Sequence, residues 1–383
     1  MAGLLIGATG MFAAMYSTQA ILPRLAEDFD VRPSEAGLTI SVVVLAVAIG
    51  GWLWGPVSDR YGRRRTLMLA SGLLVPPTLG AALAPTFPAL LVIRMLQGLC
   101  MPGLLTVGVP YVAEVFAPAL GGRAMGLYVS ALVAGGLIGR VGVGLVTALT
   151  GWRVALGLLA LLPLAAVLVM RRLLPEAPPP SRSQTGLRSV AGHLRDPRVM
   201  APAAAGAALF FSFVGLFSYI AFRLERPPFS YGQEVTSLVF ALWALGAAGP
   251  PAGMLADRLG WRRVLFGAMG LCLGGTLLTL PPFAVPVVVG LAVLTTGMFA
   301  GVTAAQLGLA EAREQDRGVV SAIYYTCYYV AGALAGFLPG LSWQAWRWPG
   351  VALGAAAVVG AGMLAVAGLC RRADREGAAR TVP

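Results

Sequence analysis

Two arginines, Arg94 and Arg140, lie inside long apolar stretches of the sequence. An ionised side chain in such surroundings is costly unless it has partners or water, so both positions are candidate functional sites. A guanidinium group offers five donors and does not release its proton in proteins. We therefore expect Arg94 to influence a nearby proton acceptor or to position an anion, and Arg140 to bind an anionic or polar group of a ligand. For Arg94 the alternative is that the side chain extends to the end of its apolar stretch and reaches water.

Carboxylates that could exchange protons lie outside these stretches, since none of the 16 acidic residues falls in the middle of one. Glu27 and Asp28 follow the first stretch, and Glu225 and Glu234 lie between the seventh and the eighth. A carboxylate handles protons near neutral pH when burial raises its pKa. If the protein couples its work to protons, the best carriers are Glu27 and Asp28.

The apolar stretches indicate that most of the chain lies in a membrane. Of 383 residues 58% are hydrophobic and 11% are charged, and the mean hydropathy is +0.79. Soluble chains do not need that much apolar surface, and stretches of about 20 residues match the thickness of a bilayer. We predict an all-α membrane protein with twelve transmembrane helices, numbered span 1 to span 12. They cover roughly residues 3–24, 36–57, 66–84, 86–110, 122–147, 152–173, 199–222, 234–256, 264–281, 284–309, 318–340 and 348–370.

The charge distribution predicts the orientation in the membrane. The formal net charge is +12, and the 28 basic residues are all arginine. Most of them fall between spans on one side, which places both termini and the central loop in the cytosol. No nucleic-acid motif accompanies the positive charge, so no nucleic-acid partner is expected. The first charge is Arg24, so residues 3–23 are interpreted as a spanning helix rather than a cleavable signal peptide.

Metal, disulfide and cofactor chemistry is not expected. Cys100, Cys272, Cys327 and Cys370 lie in or at the end of apolar spans, without CxxC spacing. The single histidine, His193, lies in the central loop, so neither a metal cluster nor a nucleophile with its base is visible. No ATP-binding loop is present. The sequence predicts neither an enzyme nor an ATP-driven pump.

A charged segment between spans 2 and 3 returns between spans 8 and 9, half a chain length later. Residues 55–67 read GPVSDRYGRRRTL and residues 253–265 read GMLADRLGWRRVL. Glycine permits a tight turn, and the aspartate can cap the following helix. The repeat predicts two similar bundles, 1–175 and 199–383, the second ending in a short cytosolic tail. The segment 176–198 is predicted to be a cytosolic linker, although part of it could lie on the inner membrane surface.

The repeated segment resembles the loop between helices 2 and 3 of the major facilitator superfamily, G-x-L-A-D-R-x-G-R-R. The alternative is a positive-inside hairpin of some other membrane protein. Residues 90–100 resemble the superfamily's helix 4 motif, L-x3-R-x2-Q-G-x-G, with Cys100 in place of the last glycine. The resemblance implies two six-helix bundles that give alternating access to a site at the midplane. It also implies a cytosolic gate in which Asp59 and Arg63 meet Glu114. The residues of this predicted gate are Gly55, Asp59, Arg60, Gly62, Arg63, Glu114, Arg123, Asp257, Arg258 and Arg262, with Asp257 expected to contact Arg262.

Span 5 resembles the antiporter signature of drug:proton exchangers, G-x8-G-x3-G-P-x2-G-G. Gly135, Gly139 and Gly142 would form a stripe that lets another helix approach, and packing alone explains such a stripe. Arg140 replaces the proline of the signature, which puts the usual bend in doubt. Many of these exchangers carry an acid four residues before the proline of helix 1, where this chain has Gln19. Proton coupling is therefore implied by resemblance alone.

Polar and aromatic side chains in spans 1, 7 and 11 are candidates for lining a substrate site. Tyr16 and Gln19 share a helical face that must look into a cavity or a neighbouring helix. The aromatic residues of spans 7 and 11 are equally consistent with packing. The predicted substrate-binding set is Tyr16, Gln19, Arg140, Phe213, Phe217, Tyr324 and Tyr328.

The leading hypothesis is a proton-coupled efflux antiporter for small organic or amphipathic compounds, similar to the YnfM-like members of the drug:proton antiporter branch. The alternative is an uptake carrier or uniporter for small organic anions, because two arginines and no acid lie within the spans. A receptor is not favoured, because no loop is long enough for a signalling domain. We expect a monomer in the bacterial inner membrane, with drug resistance as the consequence of efflux.

Overall fold

The computed structural model describes residues 1–177, 192–312 and 317–381. Every regular element in that part of the chain is helical, which confirms the predicted all-α fold. The first half contains α1 (Ala2–Tyr16), α2 (Leu22–Asp28), α3 (Pro33–Tyr61), α4 (Arg63–Ala82), α5 (Phe87–Cys100), α6 (Pro102–Tyr111), α7 (Ala117–Leu120), α8 (Gly122–Leu137), α9 (Val143–Thr150), α10 (Trp152–Leu159) and α11 (Leu161–Leu173). Short 3-10 or π-helical turns at Gln19–Ile21 and Ile138–Gly142 lie within spans 1 and 5, and a π-helical turn at Val112–Phe116 follows span 4.

The second half contains α12 (Pro197–Leu224), α13 (Gln233–Leu238), α14 (Gly249–Leu259), α15 (Trp261–Leu278), α16 (Ala284–Ala312) and α17 (Arg317–Thr381). A 3-10 segment, Val239–Ala248, joins α13 to α14. The long α17 consists of two helices that meet at Arg347, where φ is +53°. Spans 11 and 12 therefore follow each other across a kink rather than an extended loop.

Within the described ranges, nine helical segments are long and apolar enough to cross a membrane, and the α17 segment holds both span 11 and span 12. Helices α4 and α15 fall outside these nine. Both carry arginines of the repeated charged segment in their first turn, and these charges lower the mean hydropathy of helices that otherwise occupy the positions of spans 3 and 9.

Span 1 is interrupted in its second half. Helix α1 ends at Tyr16, a 3-10 turn follows at Gln19–Ile21, and α2 begins at Leu22 with Pro23 in its first turn. Proline has no amide donor and clashes with the carbonyl four residues earlier, so it is tolerated where a helix begins. The break leaves the last carbonyls of α1 without helical partners, and another group must satisfy them.

The helices form two compact units. The first comprises Met1–Arg182 together with Ile220–Ala244, and the second comprises Ser183–Tyr219 and Leu245–Pro383. The first unit thus contains the first six spans and, from the second half of the sequence, the end of α12 and all of α13. Most of the predicted linker, residues 178–191, lies outside the described residues, and the predicted boundaries at 175 and 199 stay predictions.

Gly98 of α5 tests the close packing of α5 on α3. A Cβ at Gly98 would lie 2.7 Å from the Ala46 Cβ and still closer to the Val43 carbonyl oxygen. Gly98→Ala should therefore destabilise the protein by about 1–3 kcal/mol, the cost of overpacking a core. The measurement is the thermal unfolding midpoint of purified protein in detergent.

The matched control is Gly126→Ala in α8, where a Cβ would meet nothing within 4 Å. This variant should be neutral or slightly more stable, because alanine favours helix by about 0.5–1 kcal/mol. Equal midpoints for the two variants would show that α5 and α3 are not packed this closely.

Candidate substrate and coupling site

The guanidinium of Arg140 lies between two aromatic rings in the first unit. Its Cζ is 3.9 Å from the centroid of the Tyr16 ring and 4.3 Å from that of Trp243. Phe12 packs against both rings, with centroid distances of 5.9 Å and 6.4 Å. A cation over an aromatic face is attracted to the ring quadrupole, by about 2 kcal/mol when water is excluded. The structure thus brings Tyr16 and Arg140, both predicted from sequence, into one cluster.

The polar partners of Arg140 are neutral. Nε donates a hydrogen bond to Oε1 of Gln19 at 2.6 Å, and Nη1 donates to the Gly136 carbonyl at 3.1 Å. The side chain is 1% exposed, and its Nη2 is buried without a hydrogen-bond partner among the described residues. No ion pair within the described ranges includes Arg140. Among the described residues only dipoles and π faces offset the charge, so the two N–H groups of Nη2 remain available for an anion.

Two glycines of the antiporter-like signature make the close helix contact that their stripe predicts. A Cβ at Gly135 would overlap the Thr9 carbonyl oxygen of α1, and a Cβ at Gly139 would lie 2.7 Å from Ala13 Cα. Gly142 differs, because a Cβ there would meet only Ile138 of its own helix, at 3.8 Å. The predicted packing role therefore falls on Gly135 and Gly139 in this structure.

Trp243 and two further glycines belong to this cluster, and sequence reasoning missed them. A Cβ at Gly136 would lie 2.5 Å from Trp243 Nε1, and a Cβ at Gly144 would lie 2.6 Å from Ser237 Cβ. Because glycine has no side chain, the segment Ile220–Ala244, which contains α13, can approach span 5 closely at these two positions. The available sequence signal was a tryptophan in the middle of span 8, away from the interfacial positions that this residue prefers in membranes.

Arg94 is fully buried, and it binds the broken end of α1. Nη1 donates to the Ala14 carbonyl at 2.7 Å, and Nη2 donates to the Met15 carbonyl at 2.7 Å. Further bonds join Nη1 to Oε1 of Gln97 at 2.9 Å and Nε to the Thr39 carbonyl at 3.2 Å. A cation at a helix C-terminus both satisfies the free carbonyls and opposes the helix dipole. Its role in coupling stays a prediction.

The two carboxylates predicted as proton carriers have partners at an exposed end of the first unit. Glu27 lies 3.2 Å from Nη1 of Arg24, and both side chains are exposed. Oδ2 of Asp28 accepts hydrogen bonds from Nε1 of Trp152 at 2.6 Å and from Nη1 of Arg153 at 3.4 Å. The Asp28 contacts tie the end of α2 to the start of α10.

The second unit contains a separate aromatic group. Phe210 and Tyr328 are stacked with centroids 3.8 Å apart, and Tyr324 lies 5.9 Å from Tyr328. Phe213 and Phe217 are neighbours at 4.6 Å. The Tyr324 hydroxyl is buried and has no hydrogen-bond partner among the described residues. Ligand binding by these residues stays a prediction, and the contacts themselves pack α12 against α17.

The predicted gate residues lie at helix ends and turns. Arg63 Nη2 lies 2.6 Å from Glu114 Oε1, so this expected pair is present. Arg262 differs from expectation, because its Nη1 lies 2.9 Å from Oδ2 of Asp374 on α17 rather than beside Asp257. Gly62 has φ of +81°, which glycine adopts without strain. The other members, Gly55, Asp59, Arg60, Arg123, Asp257 and Arg258, are exposed.

The fold and these motifs define the class of protein. The sequence matches the profile of the Major Facilitator Superfamily over residues 4–336 and 229–382. It is 30% identical over 352 residues to the uncharacterized MFS-type transporter YybF of Bacillus subtilis, an alignment covering 89% of this chain and 85% of that protein. The chain therefore belongs to the Major Facilitator Superfamily: it is a multi-pass membrane transporter of the alternating-access type, and not an enzyme.

Further similarities agree with this conclusion. The chain is 31% identical over 345 residues to the inner membrane transport protein YnfM of Escherichia coli, covering 89% of this chain and 83% of that protein. Among solved structures, it resembles a bacterial homolog of the human lysosomal transporter Spinster in an inward-facing, unoccupied conformation. The TM-score is 0.80 with 16% identity, and the match covers 97% of this chain and 96% of that one, so this likeness concerns the fold alone.

Arg94→Gln tests the capping of α1. The substitution should leave the Met15 carbonyl without its donor and the Ala14 carbonyl with only Ser17, whose Oγ donates at 2.9 Å, and a buried unsatisfied group costs about 1–3 kcal/mol. We expect a clear fall of the thermal unfolding midpoint in detergent. Arg172→Gln, at the exposed end of α11, is the control and should leave the midpoint unchanged. If both variants unfold like the wild type, Arg94 does not hold the break in span 1.

Proposed function

We propose that this transporter exports small amphipathic organic compounds in exchange for protons. The observation that carries the proposal is the Arg140 guanidinium between the rings of Tyr16 and Trp243. A cation with two aromatic faces suits a cargo that joins a polar or anionic group to an apolar ring. The N–H groups of Nη2 would donate hydrogen bonds to the polar group, and Gln19 orients the guanidinium by accepting from Nε.

Exchange of the compound for protons is supported by the resemblance of span 5 to the signature of drug:proton exchangers. Gly135 and Gly139 make the tight contact with α1 that the glycines of this signature allow. The similarity to YnfM, an inner membrane transport protein, supports a place in the bacterial cytoplasmic membrane. The arginine distribution supports cytosolic termini. The working unit is a monomer, and drug resistance is the expected consequence of efflux.

A second candidate function is uptake or uniport of small organic anions. It is favoured by one observation, the lack of an ion-pair partner for Arg140 among the described residues. A buried cation that lacks a carboxylate gains most from a ligand that carries one. In this case transport would follow the gradient of the anion and would not need a proton gradient.

Transport assays in proteoliposomes separate the two candidates. We expect an aromatic carboxylate to accumulate on the acidic side when a proton gradient is imposed, and to equilibrate only slowly without one. Matched neutral and cationic aromatic compounds provide the specificity comparison. Movement that follows the anion gradient equally well in the presence and absence of a proton gradient would favour the carrier for organic anions.

Arg140→Gln tests the assigned recognition. It should lower transport of the aromatic carboxylate by at least about tenfold, because truncating a buried hydrogen-bonded charge costs about 2–5 kcal/mol. Transport of the neutral compound should fall less. The exposed Arg172→Gln serves as the control and should transport both compounds like the wild type. Equal losses for both compounds in Arg140→Gln would argue against anion recognition at this residue.

A further inference from the structure

A cavity of about 350 Å³ lies at one end of the first unit, between α2, the start of α3 and the end of α12. Its wall includes Glu27, Phe222, Glu225 and Arg226. The arginine distribution assigns this end of the unit to the outer side of the membrane. The cavity is therefore the place where an outer carboxylate would meet protons from solution.

Glu225 is fixed at this cavity by its backbone. The residue directly follows α12, and its amide donates to the Ala221 carbonyl at 3.0 Å. The turn behind it closes on α12, where the Tyr231 amide donates to the Leu224 carbonyl at 2.8 Å. The side chain is partly buried, and its Oε1 is buried with no hydrogen-bond partner among the described residues. A carboxylate oxygen without donors is costly when ionised and far less so when protonated.

The charges that act on Glu225 come from α2, from its own turn and from α13, and they act in opposite directions. Arg24 and Glu27 lie on α2, Arg226 lies in the same turn, and Glu234 lies on α13. Burial is the largest influence, and it raises the pKa of the Glu225 carboxyl from its ordinary 4.5 to about 7. The two arginines lower this pKa, and the two glutamates raise it.

We propose that Glu225 is the outer binding site for the coupling proton, a role that the sequence had assigned to Glu27 and Asp28. The inference rests on the proposed proton-coupled antiport. A proton from the outer solution adds to the free carboxylate oxygen, an O–H bond forms, and the buried negative charge disappears. The reverse step returns the proton when water reaches the carboxylate. Glu27 and Asp28 bind Arg24, Trp152 and Arg153 at the surface instead.

The first test observes the proton directly. Infrared titration of the lipid-reconstituted protein should show a protonated-carboxyl band that disappears with a midpoint near pH 7. The band should be lost in Glu225→Gln and kept in Glu35→Gln, because the Glu35 carboxylate caps α3 by accepting from the Arg32 amide at 2.7 Å. A band that persists in Glu225→Gln, or none in the wild type, would overturn the assignment.

Neighbouring charges provide a test that keeps the carboxyl in place. Arg226→Gln removes a positive charge near Glu225 and should move the midpoint of the band to higher pH, whereas Glu234→Gln should move it lower. Opposite shifts would identify the titrating group even if Glu225→Gln folds poorly. Midpoints that do not move in either variant would contradict the assignment.

Stability should follow the same protonation. Because the pKa is raised in the folded protein, protonation stabilises the fold fully below about pH 4.5, and this stabilisation is lost as the pH rises through about 7. The thermal midpoint of the wild type should fall over this range, and that of Glu225→Gln should fall less. Parallel pH profiles for the two proteins would count against a buried proton at Glu225.

Transport separates this inference from the proposed function. In proteoliposomes, Glu225→Gln should lose most of the acceleration that an imposed proton gradient gives the wild type. Full acceleration in the variant would overturn the role of Glu225 while leaving proton-coupled export standing. A wild type that ignores the gradient would overturn the proposed export and the coupling role together, and the infrared band would then report a proton site without that role.

Discussion

The interruption of span 1 and the arginine that holds it determine the polar interior of the first unit. Carbonyl groups at the end of α1 cannot stay unpaired in a membrane protein, because hydrocarbon offers no donors. Arg94 supplies these donors to Ala14 and Met15. Beyond the break, Gln19 lies in a 3-10 turn and accepts from Arg140. The two buried arginines are thus connected through a few residues of span 1.

The two arginines differ in how completely their surroundings satisfy them. Arg94 donates to three backbone carbonyls and to the Gln97 amide oxygen, so its charge is held by dipoles on every side. Arg140 has two hydrogen-bonded nitrogens, two aromatic faces and one buried nitrogen without a partner in the described chain. A buried cation whose nitrogens all have hydrogen-bond partners stabilises one arrangement of helices. A buried cation with an unpartnered nitrogen is stabilised further when a ligand supplies the missing acceptor.

Close approach of helices makes this burial possible. Apolar burial does not hold helices together in lipid as it does in water, so small residues and packing must do so. Gly135 and Gly139 admit the backbone of α1, and Gly136 and Gly144 admit side chains from the segment Ile220–Ala244. Trp243 covers Arg140 as a result. The same segment begins near the end of α12, where Glu225 adjoins the cavity beside α2, so its packing affects both polar sites of the first unit.

Local properties of the sequence were enough to determine the membrane class, the helices, the repeated charged segment and the positions of Arg94 and Arg140. Hydropathy, turn chemistry and charge act over a few residues, so they can be interpreted without knowing distant neighbours. Tertiary structure alone decided that Trp243 covers Arg140, that Arg262 pairs with Asp374 and that Glu225 has a buried oxygen. Each of these depends on which residues, far apart in the chain, pack together, and helical periodicity does not specify the partner of a helix face.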